Sequence, residues 1–415
     1  YRIWLRQSGC QYNTDTMSKR ILILCEAIAP PAFSPRILTL IAWLQQNGWQ
    51  CTLITEECAE QAFHTDICPI YQMPAYHHLL LDKLCWGKDK ALYQFAKQMV
   101  DINTFDLIFC SSYYYFPLYA AHLLAQEYHI PLAIDLRDIA EQWGDTVYFT
   151  RQLTPFKKLN YWIGKIYEHR QLRVRNRILR SANIVTSVSP WHQNILAKYN
   201  ANTHLIYNGY DANVFVPKDL ICDYFYITYL GKLYSTQLRD PRMLFEALRQ
   251  LTSEEKIDSK HVRVLFHTDP NGMQQLQELG EYYQIAPLLN INGYIPRQAI
   301  LPVMYQSSIL LVLTTLSTPT GTHGIMGTKF FENIGIEKPI LCVRSDEECL
   351  ADAIHKTNAG LAATSVDEVK TFIMEKYQEW LQQGYTRQTV INKEQFTRQH
   401  EAEQFEQLFI QTLKS

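Results

Sequence analysis

Residues 321–341, GTHGIMGTKFFENIGIEKPIL, place three glycines and a lysine ahead of an apolar helix and strand. Gly321, Gly324 and Gly327 let the backbone adopt positive φ and come close to a ligand. Lys329 falls in the first turn of a helix predicted to begin near Thr328, where the macrodipole disfavours a cation. A bound anion resolves that conflict, because free amides at a helix start and a lysine together make a phosphate site. Glu332 lies one position beyond the capping-box site, so its role is not obviously structural. The competing reading is an exposed Lys/Glu pair beside a flexible loop. Two more cations follow the same logic: Lys232 in Gly231-Lys232-Leu233, just after a strand, and Arg239 in Arg239-Asp240-Pro241, just before a helix. Tyr113, Tyr114 and Tyr115 end another strand and could stack on a sugar or simply pack. His267 ends a further strand and reads as structural.

The elements that must position these residues alternate in type. RILILCEAIAPPAFSPRILTLIAWLQQNGWQCTLIT reads strand, loop, helix, strand, with Ser34 as cap, Pro35 at the first helical position and Gly48 past the end. The pattern continues through FDLIFCSS, PLAIDLRD and NIVTSVS. After HLIYNGYDANVFVPKDL it restarts with FYITYLGKL, VRVLFHT, LLNINGYI, SILLVLTT and PILCV. Short strands alternating with helices predict an α/β chain of two Rossmann-like, doubly wound parallel-sheet domains facing across a cleft. Ligands in such sheets bind at the carboxyl ends of the strands. The expected division is a leader segment at 1–16, an N-terminal Rossmann-like domain at 17–210, a C-terminal Rossmann-like domain at 211–395 and a terminal helix at 396–415, whose Phe405, Leu408 and Phe409 share one face.

Composition narrows the function classes. A chain of 415 residues exceeds what one core supports, and a net charge of −2 gives no overall field to gather nucleic acid. Ten cysteines without a C-x-x-C pair argue against a zinc site or a secreted disulfide framework, and suit a reducing cytoplasm as small buried hydrophobes. No apolar run spans a bilayer and no signal-peptide core is present. Gly-x-Gly-x-x-Gly, Walker A and Asp-x-Asp patterns are absent, which removes the usual anchors of dinucleotide binding, NTP hydrolysis and metal-dependent sugar transfer.

In the order and spacing of APPAFSPR, IPLAIDLRD, SANIVTSVSPWHQNIL, IYNGYDANVFVP, ITYLGKLY, RDP, INGYIP and GTKFFENIGIEKPIL, the chain resembles glycosyltransferase family four. These are retaining sugar-nucleotide enzymes of the GT-B architecture, and the likeness is greatest to the branch that builds capsule, lipopolysaccharide and other surface polysaccharides. The resemblance runs over nearly all of 19–412. It implies that Lys232 and Arg239 bind the diphosphate, that the amides of Gly327 and Thr328 face the phosphates with Lys329, and that Glu332 holds the ribose. Tyr294 falls where the base is contacted. The loop 30–36, with Ser34 and Arg36, would close on phosphates and acceptor, and Tyr113 would border the acceptor. The first glutamate of the family's Glu-x7-Glu motif is replaced by Gly324, the usual proline near the helix start by Gly327, and the frequent active-site histidine falls near Arg137. Arg137 and Asp138 are therefore the candidates for the catalytic face, or a structural pair.

The expected activity is metal-independent transfer of a sugar, with retention, from a nucleotide-diphosphate sugar to a glycan or lipid-linked acceptor. That sugar nucleotide is a co-substrate, with no resident cofactor and no metal. Preorganised cations and amides can stabilise the departing diphosphate. The alternatives are a nucleotide-sugar epimerase of the same architecture and a catalytically silent nucleotide-sugar-binding scaffold subunit. Residues 151–180 carry nine Lys/Arg and one acidic residue, Glu168, among aromatic and aliphatic side chains. They predict a chain of the cytoplasm, peripheral on the inner face of the membrane, or else a solvated helix face. Nucleic acid is not an expected partner.

Overall fold

Continuous apolar runs present no polar face, so a sheet built from them must be covered on both sides. In RILILC, Ile21 to Cys25 are all buried, and in LIFCSS every residue is. The computed structural model describes residues 18–26, 35–57, 67–77, 85–144, 155–236, 238–314, 321–345 and 348–414, together with the backbone but not the side chain of Lys157. The expected leader at 1–16, Ser34 with its capping role, and residues 151–154 of the basic stretch lie outside them.

The first parallel sheet contains β1 (Arg20–Cys25), β2 (Gln50–Glu56), β3 (Ile70–Met73), β4 (Leu107–Ser112), β5 (Leu132–Leu136), β6 (Ile184–Ser187) and β7 (Thr203–Leu205). Their order is β3-β2-β1-β4-β5-β6-β7, with registers such as Ile21 opposite both Cys51 and Leu107. Its helices are α1 (Pro35–Gln46), α2 (Gly87–Met99), α3 (Leu118–Tyr128), α4 (Lys157–Ser181) and α5 (Pro190–Leu196). Pro35 does open α1, and Gly48 beyond its end takes φ +82°, the left-handed conformation that a residue with a side chain resists.

The second sheet repeats the plan with β8 (Phe225–Leu230), β9 (Val262–His267), β10 (Leu289–Asn292), β11 (Ile309–Leu313), β12 (Ile340–Val343) and β13 (Gly360–Ala363), in the order β10-β9-β8-β11-β12-β13. Around it run α6 (Arg242–Ser253), α7 (Pro270–Tyr282), α8 (Arg297–Gln306), α9 (Thr328–Ile336), α10 (Cys349–Lys356) and α11 (Val366–Gln383). In each sheet the strand order reverses beside the first strand, between β1 and β4 and between β8 and β11. A crevice opens there at the carboxyl ends.

The terminal helix α12 (Arg398–Lys414) returns to the first sheet. Phe405 and Phe409 are buried against Phe109, with ring centroids 5.3 and 5.2 Å away, and Leu408 packs at the edge of the same core. Arg36 corrects one expectation. It does not face an acceptor: it is buried at the start of α1, pairs with Asp135 at 2.9 Å and Glu401 at 2.8 Å, and donates to the carbonyls of Ile206 and Tyr207. Ser111 and Thr186 hydroxyls also donate to Asp135. Arg36 thus ties α1, β5, the segment after β7 and α12 together. The cysteine expectation needs one correction too, since Cys85 is exposed while Cys25, Cys51, Cys68, Cys110 and Cys342 are buried.

Candidate functional site

The turn after β8 is built rigidly. The amide of Leu233 donates to Thr268 Oγ1 at 3.0 Å and to Asp269 Oδ1 at 2.9 Å, and Asp269 also caps α7 through the Gly272 amide. The Tyr229 hydroxyl donates to the Lys232 carbonyl at 3.0 Å. Burial pushes that phenol up to about 12, with the Arg239 charge opposing, so it stays a neutral donor. These contacts present the exposed Lys232 ammonium at the reversal point of the second sheet, 4.7 Å from the Tyr234 ring centre. Asp240 engages Arg242 at 2.7 Å and Arg344 at 3.2 Å, and its amide donates to Thr314 O at the end of β11. Neither Lys232 nor Arg239 has a carboxylate partner among the described residues.

Helix α9 starts at this same sheet edge because it connects β11 to β12. Gly327 precedes Thr328 with φ −62° and no side-chain cap; the Phe330 amide donates to the Gly327 carbonyl, and among the described residues the Thr328 and Lys329 amides are left for another acceptor. Gly327 therefore does not need glycine's positive φ; of the three glycines in this stretch, Gly324 alone takes it, at +66°. Lys329 is paired with Glu332 at 3.1 Å. The two predicted ligands neutralise each other, so Lys329 is not a third isolated cation. Tyr294 is 61% exposed beyond β10, two strands away from β8, where His267 Nδ1 lies 3.3 Å from Gly293 O.

At the reversal point of the first sheet a cavity is lined by Cys25, Glu26, Ile37, Ser111, Tyr113 and Arg137, among others. Arg137 stacks over the Tyr113 ring at 4.7 Å and donates to its hydroxyl at 3.1 Å. Burial raises the Glu26 carboxyl, with Lys88 opposing. Asp138 follows Arg137, and burial pushes it up to about 6 against the Gln142 hydrogen bond at 3.2 Å and the Arg137 charge. A short turn, Ala140–Trp143, holds this face. Glu141 takes a two-pronged ion pair from the buried Arg175 at 2.6 and 2.7 Å, and Trp143 donates to the Tyr114 hydroxyl.

The two halves meet through residues that motif reading missed. The His323 amide donates to the Gln142 carbonyl at 2.9 Å, and its ring stacks on Trp191 with centroids 5.4 Å apart and planes 14° from parallel. Glu348 accepts from the Gly324 amide at 3.3 Å and lies 2.7 Å from His323 Nδ1. The loop before α9 is thereby seated on the turn that carries the Asp138 contact. Trp191 stood inside a quoted motif, SPWHQNIL, yet only the fold shows that it faces the other domain.

Residues 35–214 match the family model described as Glycosyltransferase Family 4. No curated protein sequence matches the chain. Among solved structures, sucrose-phosphate synthase from Thermosynechococcus elongatus superposes with a TM-score of 0.63 at 15% identity, covering 95% of this chain and 99% of that one. Anabaena HepE in complex with UDP gives 0.59 at 14% identity, over 94% and 100%. The lipopolysaccharide outer core galactosyltransferase WaaB gives 0.58 at 10%, over 94% and 99%. At such identities the likeness is one of fold. Residues 35–214 are thus similar to Glycosyltransferase Family 4, and the chain as a whole has the two-domain GT-B fold of these glycosyltransferase structures.

Proposed function

We propose that this protein transfers a sugar from a nucleotide-diphosphate sugar to a glycan or lipid-linked acceptor, with retention and without a metal, in surface-polysaccharide biosynthesis. The reading places it in the cytoplasm, at the inner face of the membrane. The observation that carries it is the pairing of Lys232 and Arg239, two cations without carboxylate partners among the described residues, with the uncapped start of α9 at one reversal point. As the glycosidic bond breaks, negative charge builds on the departing diphosphate. Fixed cations and amides stabilise that charge with little reorganisation. Arg137 borders the opposite cavity, where an acceptor hydroxyl would enter, with Asp138 next to it in the chain, and Tyr113 stacked on Arg137 forms its wall. Glu332 would leave Lys329 to take the ribose hydroxyls, and Tyr294 would meet the base.

Structures of similar fold, such as HepE, were captured with UDP and with UDP-glucose, which makes uridine diphosphate the first ligand to try. A thermal-shift panel of UDP, GDP, ADP and CMP tests the donor class. One diphosphate at a hundred times its dissociation constant adds about 2.7 kcal/mol of stability. Gly324, packed on Trp191 where the family resemblance places a glutamate, favours one second reading, a nucleotide-sugar-binding subunit without transfer. Nucleotide release on adding an acceptor excludes it.

A further inference from the structure

Helix α4 has two unlike halves along one exposed side. Leu159, Trp162 and Ile166 follow one another at helical spacing and are 47%, 64% and 67% exposed. The same side continues into Arg170, Arg173, Arg177 and Arg180, all exposed. Phe156, just before the helix, is 67% exposed as well. The opposite side is committed to the fold, since Gln171, Arg175, Ile178 and Leu179 are buried and Arg175 is held by Glu141. Arg170 lies over the Trp86 ring at 4.4 Å and Arg180 over Tyr199 at 5.4 Å, which hold the helix against the body while leaving both arginines exposed. The helix's one acidic residue, Glu168, is tied to Lys165 at 3.2 Å. The outer stripe is therefore apolar at one end, basic at the other, and free of acid.

We infer that this face docks on an anionic lipid bilayer. The inference rests on the membrane part of the function proposed above and assigns it to one surface. Tryptophan and aliphatic side chains settle at the boundary between headgroups and acyl chains, and arginines beside them bind lipid phosphates. A nucleic acid would use the arginines and leave Trp162 and Ile166 in water. Among the described residues no helix is long and apolar enough to cross a membrane, so α4 lies on the surface. Through Arg175 and Glu141 it is joined to the turn beside Asp138. Docking thus brings the acceptor side of the candidate site toward the lipid.

The test uses the full chain and sedimentation with vesicles of phosphatidylcholine alone or mixed with phosphatidylglycerol, at low and high salt. Two variants are compared with the parent, Trp162→Glu with Ile166→Glu, and Arg173→Glu with Arg177→Glu. The expected result is salt-sensitive binding to the anionic vesicles only, reduced by roughly tenfold or more in each variant. The variants' melting temperature and nucleotide-induced shift should match the parent, since all four positions are at the surface or its margin and away from the donor edge. Equal binding to both vesicle types, parent-like binding by either variant, or displacement of vesicles by a nucleic-acid oligomer overturns the inference. Anionic-vesicle binding without any nucleotide shift supports this surface and overturns the donor reading alone.

Discussion

Gly324 and Trp191 meet across the cleft with no room for a side chain between them. A Cβ on Gly324 would lie 2.9 Å from Trp191 Cβ and 3.1 Å from Ser189 Oγ, and its φ of +66° is costly for any other residue. The position where the family resemblance places a glutamate is therefore filled by the other domain's tryptophan. Gly324→Ala should lower stability by roughly 1–3 kcal/mol through overpacking and strain, and Gly324→Glu by more. Thermal melts of both variants check this. Unchanged melting temperatures would mean that the two halves do not meet here as described.

Arg36→Met is expected to be among the most damaging single substitutions in the first domain. It removes the partner of Asp135 and Glu401, both buried, and a broken buried pair costs about 3–5 kcal/mol. Burial already raises the Glu401 carboxyl against the Arg36 charge, so protonation of Glu401 absorbs part of that loss. Urea unfolding should therefore show the deficit shrinking as pH is lowered.

Much of the fold was legible because buried parallel strands declare themselves as apolar runs between turn signals. β1, β2, β4, β5, β6, β8, β9, β10, β11 and β12 each lie within or beside a run read from the sequence. β3, β7 and β13 escaped, being short, with THL and GLAA offering little pattern and IYQM only half-buried. At the site, Lys232, Arg239 and the start of α9 follow from local sequence and topology. The mutual pairing of Lys329 and Glu332 was visible as an alternative, but choosing it required coordinates. Arg36 was misread because its partners lie 99 and 365 residues along the chain, and a local motif carries no sign of them. The Trp191–His323 stack was missed for the same reason.

Two groups near the cleft, the buried His192 and the half-buried Asp138, should titrate with opposite effects. Burial lowers His192 from 6.5 to about 4, and among the described residues neither ring nitrogen has a hydrogen-bond partner. Its unfolded form gains a proton first, so stability falls as pH drops from 6.5 toward 4, by at most about 3 kcal/mol. Burial raises Asp138 from 3.8 to about 6. Its unfolded form loses a proton first, so stability falls as pH rises from 3.8 toward 6, by a similar amount at most, about 3 kcal/mol. Between pH 4 and 6 the two contributions oppose each other. Asp138→Asn should expose acid sensitivity, and His192→Leu should expose the reverse slope, in melts recorded across that window.

The pairing of Lys329 with Glu332 predicts an order among the donor-site substitutions. Lys329→Ala should weaken nucleotide-diphosphate binding less than Lys232→Ala or Arg239→Ala, because its charge is already partly answered. Glu332→Ala should weaken binding of a nucleoside but not of inorganic pyrophosphate, because it frees the Lys329 charge. Titrations with UDP, uridine and pyrophosphate separate the contributions.

The most direct measurement is calorimetric titration of the parent and the Lys232→Ala/Arg239→Ala double variant with UDP, GDP and ADP. The account predicts that at least one diphosphate binds the parent and that the double variant loses roughly 3 kcal/mol of affinity, a hundredfold or more, with an unchanged melting temperature in the absence of ligand. Equal affinity in parent and variant would contradict the assignment of these two cations to the diphosphate, and absence of binding by all three nucleotides would contradict the donor site itself.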